Sequence, residues 1–270
     1  MKLTILVDNN TYIDQYLLGE PALSFYIEDG ENKVLFDTGY SDAFIKNAKA
    51  LGIDLSEITS VALSHGHVDH TGGIPYLAEE FETKNIPMYA HPKAFEEKRM
   101  DGVQTGAPLR AEEVEKLFDL RLSAEPVQIT PNIMFMGQIP QYFDFESRVM
   151  TGYVLRDGEF VPDYDIDDTA LVYTGKEGLY IITGCSHAGI CNIVKYAQKL
   201  TGVEKIAGII GGFHLFKVDD RLENTINYLE SLNVSSFNPC HCVSLFARAE
   251  MLKRFPISET GTGMTLSVDE

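Results

Sequence analysis

Apolar and polar positions alternate along the chain in the patterns of short strands and amphipathic helices. Apolar or β-branched residues at every second position predict strands, and a turn such as Asp29-Gly30 between two of them predicts a hairpin. The predicted strands are Lys2–Asp8, Leu23–Glu28, Lys33–Asp37, Ser60–Leu63, Pro87–Ala90, Val127–Ile129, Ile133–Gly137, Leu179–Thr183, Lys205–Ile210 and Met264–Val268. The short run Val172–Thr174 does not decide between strand and loop.

Other stretches repeat their apolar residues at the period of a helix, as Ile190, Val194 and Ala197 do. The predicted helices are Ser41–Leu51, Ile74–Phe81, Ala111–Leu117, Ala188–Leu200, Arg221–Leu232 and Val243–Phe255. Hairpins that precede helices in each half indicate two packed mixed β-sheets covered by helices, rather than one parallel sheet. We therefore predict a single α/β (α+β) domain over residues 1–270. The stretch from about 95 to 168 has little periodicity, and we predict an insertion there that covers a functional site.

Composition restricts the classes of partner. With 22 basic and 40 acidic residues the net charge is −18, which argues against nucleic acid as a partner. A small anionic substrate is still compatible, because a bound dication reverses the local field. No apolar run reaches the roughly 18 residues of a membrane span, and Met1–Asp8 reads as a strand rather than a signal peptide. We expect a cytoplasmic protein with a small-molecule substrate and no membrane partner.

The most informative motif is H-x-H-x-D-H-x-G-G, which begins at His65 and contains His67, Asp69 and His70. Three imidazoles and a carboxylate this close in sequence make sense when their lone pairs converge on a metal ion. The motif follows the predicted strand Ser60–Leu63 and precedes a predicted helix. It therefore lies in a loop at a strand end, where a metal can be held with one face open.

Three more histidines occupy the same kind of place. His187, His214 and His241 each follow an apolar strand or a Gly-containing turn and precede a helix. Loops at one edge of layered sheets are where sites are built, and six of the seven histidines at strand ends indicate a shared ligand. The seventh, His91, has no other candidate ligand beside it in the sequence, and we expect it at the surface or beside the substrate.

These motifs together resemble the metallo-β-lactamase superfamily through most of the chain. The H-x-H-x-D-H-x-G-G block resembles its most specific motif, and L-F-D-T-G at 35–39 resembles its upstream D-x-G element. G-C-S-H-A-G-I at 184–190, G-G-F-H-L at 211–215 and P-C-H-C at 239–242 resemble a subgroup. That subgroup is labelled by similarity to a methanopterin-biosynthesis ribofuranosylaminobenzene-phosphate synthase. The resemblance implies an αββα sandwich with a dinuclear metal site on one edge.

The resemblance also implies roles for individual residues. One metal would be bound by His65, His67 and His187, and the second by Asp69, His70 and His241. Asp37 matches a position where a carboxylate orients ligand imidazoles, although it could instead be a turn-former before Gly39.

The chain departs from the superfamily pattern at the bridging position. Cys185 follows Gly184 where many members have a bridging Asp, and a histidine two strands earlier is missing. The region offers Asp163, Asp165, Asp167 and Asp168 instead. Either His187 has taken the place of the missing ligand, which we favour, or Asp168 supplies a carboxylate.

His214 has no place in the standard ligand set. It could transfer a proton to a leaving group or contact an oxyanion, or it could be a packing histidine in the Gly-Gly turn. Cys240 and Cys242 flank His241, and alternate residues of an extended loop point away from it. We therefore do not expect both thiols to bind the same metal as His241.

The expected function is a hydrolase with two divalent ions, zinc first and manganese or iron as alternatives. A shared water of lowered pKa would attack the substrate, and Asp69 would orient this water. His214 is the second candidate catalytic residue. The expected substrate is a small anionic metabolite such as a phosphoester. A diiron redox protein and a non-catalytic metal-dependent sensor are the alternatives. Basic residues near the insertion, Lys93, Lys98, Arg99 and Arg110, are predicted to form a solvated helix face.

Overall fold

The computed structural model describes residues 1–269, and these residues form three β-sheets. The first sheet has the strand order β17-β1-β2-β3-β4-β5-β8. Its strands are β1 (Lys2–Val7), β2 (Ser24–Asp29), β3 (Asn32–Phe36), β4 (Ser60–Ala62), β5 (Pro87–Ala90), β8 (Asp119–Leu122) and β17 (Thr265–Ser267). Strands β3, β4, β5 and β8 are parallel, and the others pair antiparallel. The carboxyl ends of the parallel strands therefore share one edge of this sheet.

The second sheet has the order β16-β15-β14-β13-β10-β9. Its strands are β9 (Val127–Gln128), β10 (Ile133–Phe135), β13 (Ala170–Gly175), β14 (Gly178–Thr183), β15 (Ile206–Gly211) and β16 (Ser236–Pro239). Strands β14, β15 and β16 are parallel, so their carboxyl ends also share an edge. The undecided run Val172–Thr174 lies inside β13.

Helices cover the outer face of each of these two sheets. Apolar residues of α1 (Ala43–Ala50), α3 (Ile74–Glu80) and α4 (Ala111–Leu117) pack on the first sheet. Those of α5 (Ile190–Thr201), α6 (Asp220–Ser231) and α7 (Leu245–Met251) pack on the second. Between the sheets, Phe25 and Phe36 pack with Phe135 and Ile182. The predicted αββα sandwich with two mixed sheets is confirmed.

A third sheet, with the order β12-β11-β6-β7, has no counterpart among the predicted strands. It consists of β6 (Lys98–Met100), β7 (Val103–Gln104), β11 (Gly152–Arg156) and β12 (Glu159–Asp163). The segment from about 95 to 168, expected as an insertion, therefore contributes to all three sheets: β8 joins the first, and β9 and β10 join the second. The helix α2 (Val68–Thr71) follows β4. None of the helices in residues 1–269 is both long and apolar enough to cross a membrane.

Candidate metal centre

The loop after β4 carries the H-x-H-x-D-H motif into the edge between the two main sheets. Gly66 separates His65 from His67, and a Cβ atom at Gly66 would lie 1.9 Å from the carbonyl oxygen of Ala94. The close approach of this backbone permits only glycine between the two histidines. Helix α2 then begins directly after His67, so Asp69 and His70 lie in its single turn.

Asp37 fixes the orientation of His70. Its buried carboxylate accepts hydrogen bonds from the Ser64 backbone N–H, the Ser64 hydroxyl and His70 Nδ1, each at 2.7 Å. Because an ionised carboxylate only accepts, Nδ1 of His70 carries the proton and Nε2 keeps its lone pair. Asp37 has a left-handed φ of 60°, so it forms the turn and orients an imidazole at the same time. Both expected roles of Asp37 are present.

The same reasoning assigns His65 and His67. The Ser64 hydroxyl donates to Asp37 and therefore accepts from His65 Nδ1 at 2.9 Å. His67 Nε2 lies 3.1 Å from Asp165 Oδ1, a carboxylate oxygen that can only accept. The free nitrogens are then His65 Nε2 and His67 Nδ1, which face each other at 3.1 Å. Two lone pairs at this distance repel unless a proton or a metal ion lies between them.

His241 completes a second group on the other side of His70. Its Nδ1 lies 2.9 Å from Asn9 Oδ1, which leaves Nε2 free. Asp69 Oδ2 lies 3.3 Å from His241 Nε2 and 3.5 Å from His70 Nε2. With bonds of about 2.0–2.1 Å, ligand atoms of a tetrahedral ion lie about 3.3–3.4 Å apart. The spacing of these free atoms therefore fits a four-coordinate divalent ion.

Three groups of side chains within the described part of the chain bring possible ligand atoms within 4.8 Å of one another. They are Asp69, His70, Cys185 and His241; His65, Cys185 and His187; and His67, Asp165 and His187. All six predicted metal ligands belong to at least one group. Cys185 and Asp165 are additional members. Asp168 belongs to none of them, and its Oδ2 accepts from the Ala188 backbone N–H at 2.9 Å. The aspartate beside the cluster is therefore Asp165.

His187 is buried at the centre of these groups. Its ring lies 4.8 Å from that of His65 and 5.0 Å from that of His67, measured between centroids. Neither of its ring nitrogens has a hydrogen-bond partner, although Nδ1 lies 3.3 Å from Asp165 Oδ2 without hydrogen-bond geometry. A buried imidazole with both nitrogens unpartnered is costly, and a metal ion would remove that cost.

Electrostatics in the cluster favour bound cations. Burial lowers the pKa of His65 and of His187 well below the usual histidine value, and neighbouring imidazoles add to this effect. Burial alone would raise the pKa of the Asp69 and Asp165 carboxyls, but the imidazoles beside them hold both pKa values well below the usual range. For His67 and His70 the neighbouring carboxylates, Asp165 for the first and Asp69 with Asp37 for the second, outweigh burial and raise the pKa of the imidazole. A metal ion would displace these protons, because it requires neutral imidazoles and ionised carboxylates of its ligands.

Asp165 is held in place by a buried lysine, Lys98, for which the sequence predicted a position on a solvated helix face. Lys98 Nζ lies 2.8 Å from Asp165, 2.7 Å from Asp167 and 3.2 Å from Asp163. Lys98 is 2 % exposed and belongs to strand β6. The prediction of a solvated helix face for Lys93, Lys98, Arg99 and Arg110 was therefore wrong: Lys98 is buried, Lys98 and Arg99 lie on a strand, and Lys93 and Arg110 lie outside the helices. Three convergent carboxylates compensate its buried charge.

The two remaining histidines differ. His214 is half-buried, its ring centroid lies 4.4 Å from that of His187, and burial lowers its pKa to about 4. It is therefore neutral near pH 7. His91 is buried and lies 3.4 Å from Gln138 Oε1, so the expectation of a surface position was wrong. Burial lowers the pKa of His91, and within residues 1–269 it joins none of the ligand groups.

A cavity of about 610 Å³ opens onto the cluster. Its lining combines possible ligands with a rim of apolar side chains, of which Tyr40, Met100, Val149, Met150 and Phe216 are exposed. Met100 belongs to the third sheet, and Val149 and Met150 lie just before its strand β11. Among the described residues that line the cavity there is no lysine or arginine.

Comparison with known proteins assigns the family. The model of the metallo-beta-lactamase superfamily matches residues 17–198, and the chain belongs to this superfamily. A 7,8-dihydropterin-6-methyl-4-(beta-D-ribofuranosyl)-aminobenzene-5'-phosphate synthase of Methanocaldococcus jannaschii is 33% identical, over 94% of this chain and 92% of the relative. An uncharacterized protein of the same organism is 32% identical, with 92% of each chain covered.

A solved structure is similar over its full length. Tm1679, described as a metal-dependent hydrolase of the beta-lactamase superfamily, is 32% identical with a TM-score of 0.86, and all of both chains is covered. The comparisons confirm the resemblance to the superfamily that the sequence motifs indicated. They also confirm the resemblance to the subgroup that is labelled by similarity to the methanopterin-related synthase. The chain thus has the fold of a superfamily whose members are generally hydrolases, and it carries groups of residues that could bind metal.

Proposed function

We propose that this protein is a hydrolase with a dinuclear centre of two divalent ions, zinc first. His65, His67 and His187 would hold one ion, and Asp69, His70 and His241 the other. One observation carries the proposal: hydrogen bonds to Asp37, Ser64, Asp165 and Asn9 leave the ring nitrogens of four histidines free where they converge. Tetrahedral spacing and imidazole ligands both suit zinc, while manganese and iron are compatible with the same donors.

The residues around the centre have distinct tasks in this proposal. Two divalent ions supply a water whose pKa falls from about 15.7 to about 7. Asp69 lies at the mouth of the cluster and lines the cavity, so its carboxylate would orient that water toward the substrate. His214 also lines the cavity. As a neutral imidazole it suits an N–H contact to a developing oxyanion better than proton donation.

The cavity supports a substrate with an anionic and an apolar part. Its lining within residues 1–269 holds no cationic side chain, so a phosphoester would be neutralised at the metal ions themselves. The apolar rim formed by Tyr40, Met150 and Phe216 would contact an apolar or aromatic substituent. The Methanocaldococcus jannaschii relative is named for a product with an aminobenzene ring and a 5′-phosphate, a combination of the same kind. The relative is a synthase, and hydrolysis is our proposal for this chain.

We further propose a small molecule as the partner and the cytoplasm as the location, with neither nucleic acid nor a membrane involved. The net charge of −18 argues against nucleic acid as a partner. The basic side chains near the cavity argue against it as well. Lys98 is buried among carboxylates, and Arg99 and Arg156 pair with Glu97 and Glu96.

The proposal is tested by turnover of an aryl phosphodiester, with a glycerol phosphodiester and an aryl lactone in the same panel. We expect aryl phosphodiester hydrolysis that chelator abolishes, zinc restores and His67→Ala lowers by at least 10³-fold, because the free Nδ1 is lost. His91→Gln is the matched control, since that histidine lies outside the ligand groups. Full activity after chelation, or in the His67→Ala variant, would contradict the hydrolase.

A further inference from the structure

We propose that the Cys185 thiolate is a ligand shared by both metal ions. This inference rests on the proposed dinuclear centre and adds a sulfur donor to it. Cys185 is the one residue common to the group of Asp69, His70 and His241 and to the group of His65 and His187. It occupies the position where the superfamily resemblance leads one to expect a bridging aspartate.

The distances allow Cys185 to be a metal ligand. Cys185 Sγ lies 3.3 Å from His70 Nε2, the nitrogen that Asp37 leaves free. A tetrahedral ion with a nitrogen bond of about 2.0–2.1 Å and a sulfur bond of about 2.3 Å places the two atoms about 3.5 Å apart. On its other side, Cys185 has ligand atoms of His65 and His187 within 4.8 Å. The His187 nitrogens are the unpartnered atoms that require such a site.

The backbone places this sulfur firmly. A Cβ atom at Gly184 would lie 2.1 Å from Ser64 Oγ, so the turn after β14 packs directly against the ligand loop after β4. Ser186 adopts a left-handed φ of 58°, and its hydroxyl donates to the Gly212 carbonyl at 2.6 Å. Cys185 is held between these two anchored residues. The loop therefore has little freedom to turn Sγ away from the cluster.

The other three thiols do not offer the same donor. Cys242 Sγ accepts from the His214 backbone N–H at 3.3 Å and donates to the Cys185 carbonyl at 3.5 Å. Within the described residues, Cys191, Cys240 and Cys242 belong to none of the ligand groups. A single thiolate beside imidazoles selects a thiophilic ion. The centre should therefore prefer zinc or cobalt(II) to manganese or magnesium.

Cobalt(II) tests the thiolate directly, because sulfur-to-cobalt charge transfer adds a near-ultraviolet band that oxygen and nitrogen ligands do not give. The apoprotein is titrated with cobalt(II), and both the band and the bound metal per chain are measured. We expect the band in the wild-type protein, its loss in Cys185→Ser, and its retention in the matched control Cys242→Ser. Cys185→Asp should bind two ions per chain without the band, because a carboxylate can bridge them.

The outcomes separate the two proposals. Two cobalt ions per wild-type chain with no charge-transfer band would overturn the role of Cys185 and leave the dinuclear centre standing. A band lost in Cys242→Ser and kept in Cys185→Ser would assign the ligand to the other thiol and overturn the proposal too. Failure of the wild-type protein to bind cobalt or zinc would contradict the metal centre itself. Circular dichroism of each variant reports whether it is folded.

Discussion

At the scale of single residues, the cluster depends on which ring nitrogen of each histidine carries the proton. Asp37, Ser64 and Asn9 each accept from a ring nitrogen that faces away from the cluster. The opposite nitrogens are thereby left as lone pairs. Partners of this kind usually contribute 10–100-fold to metal affinity. Their effect can be measured separately from that of the ligands.

Asn9 is the best place for this measurement, because its side chain is exposed and its loss should not unfold the protein. We expect Asn9→Ala to weaken metal binding about 10–100-fold, since His241 Nδ1 loses its acceptor and the ring its orientation. Asn9→Asp keeps an acceptor and should stay within a few fold of wild type. Competition with a chromophoric chelator gives both affinities. Equal affinity in Asn9→Ala and wild type would show that Asn9 does not position the imidazole.

The sequence predicted the histidines that cluster here, named Asp165 only as one of four aspartates in its region, and gave no role to Asn9. The histidines are rare and recur at strand ends, so their chemistry is visible without coordinates. Asp165 is one of four aspartates between 163 and 168, and its contact with His67 depends on a left-handed φ of 45° and on Lys98. Asn9 follows the end of strand β1, and this position at a strand end was the sequence feature that could have indicated its role.

At the scale of elements, the third sheet supports the cluster of possible metal ligands from the side. Lys98 on β6 reaches the carboxylates of Asp163, Asp165 and Asp167, which lie at the end of β12 and in the loop after it. Asp167 also accepts from the Gly66 backbone N–H at 2.8 Å. The buried lysine thus connects the third sheet to the loop that carries His65 and His67.

Replacement of Lys98 should destabilise the whole protein. In Lys98→Met three buried carboxylates lose their counter-charge, and removal of one partner from a buried ion cluster costs about 3–5 kcal/mol. Arg99→Met is the matched control on the same strand. Arg99 pairs with Glu97 at the surface, where a salt bridge contributes about 0–1 kcal/mol. Urea unfolding measures both. Similar free energies of unfolding for the two variants would contradict the structural role of Lys98.

Strands and helices whose apolar residues repeat regularly were predicted well, but the strands of the third sheet were not predicted. Strands β1 to β5 and helices α3 to α6 follow apolar patterns within a few residues of the predicted bounds. The third sheet pairs β6 with β11 across about fifty residues, and its strands alternate poorly. Asp101-Gly102 and Asp157-Gly158, each with left-handed φ at both residues, were the hairpin signals available for it.

At the scale of the whole molecule, the cluster joins the two main sheets. The loop after β4 of the first sheet supplies His65 to His70, and the loops after β14 and β16 of the second supply Cys185, His187 and His241. The sheets meet through an apolar interface, and the possible ligands lie at one edge of it. A metal ion bound there would bind only when both sheets are docked.

Metal binding should therefore raise the melting temperature in proportion to the logarithm of free metal. At a hundredfold excess over Kd, one site adds about 2.7 kcal/mol, which corresponds to about 5 °C for a chain of this size. Binding of zinc to the unfolded His65–His70 segment would reduce this shift. We expect the shift with zinc, little shift with magnesium, and none in the double variant His67→Ala/His241→Ala, measured by scanning calorimetry. A melting temperature independent of zinc well above its measured Kd would mean that metal binding does not depend on the docked sheets.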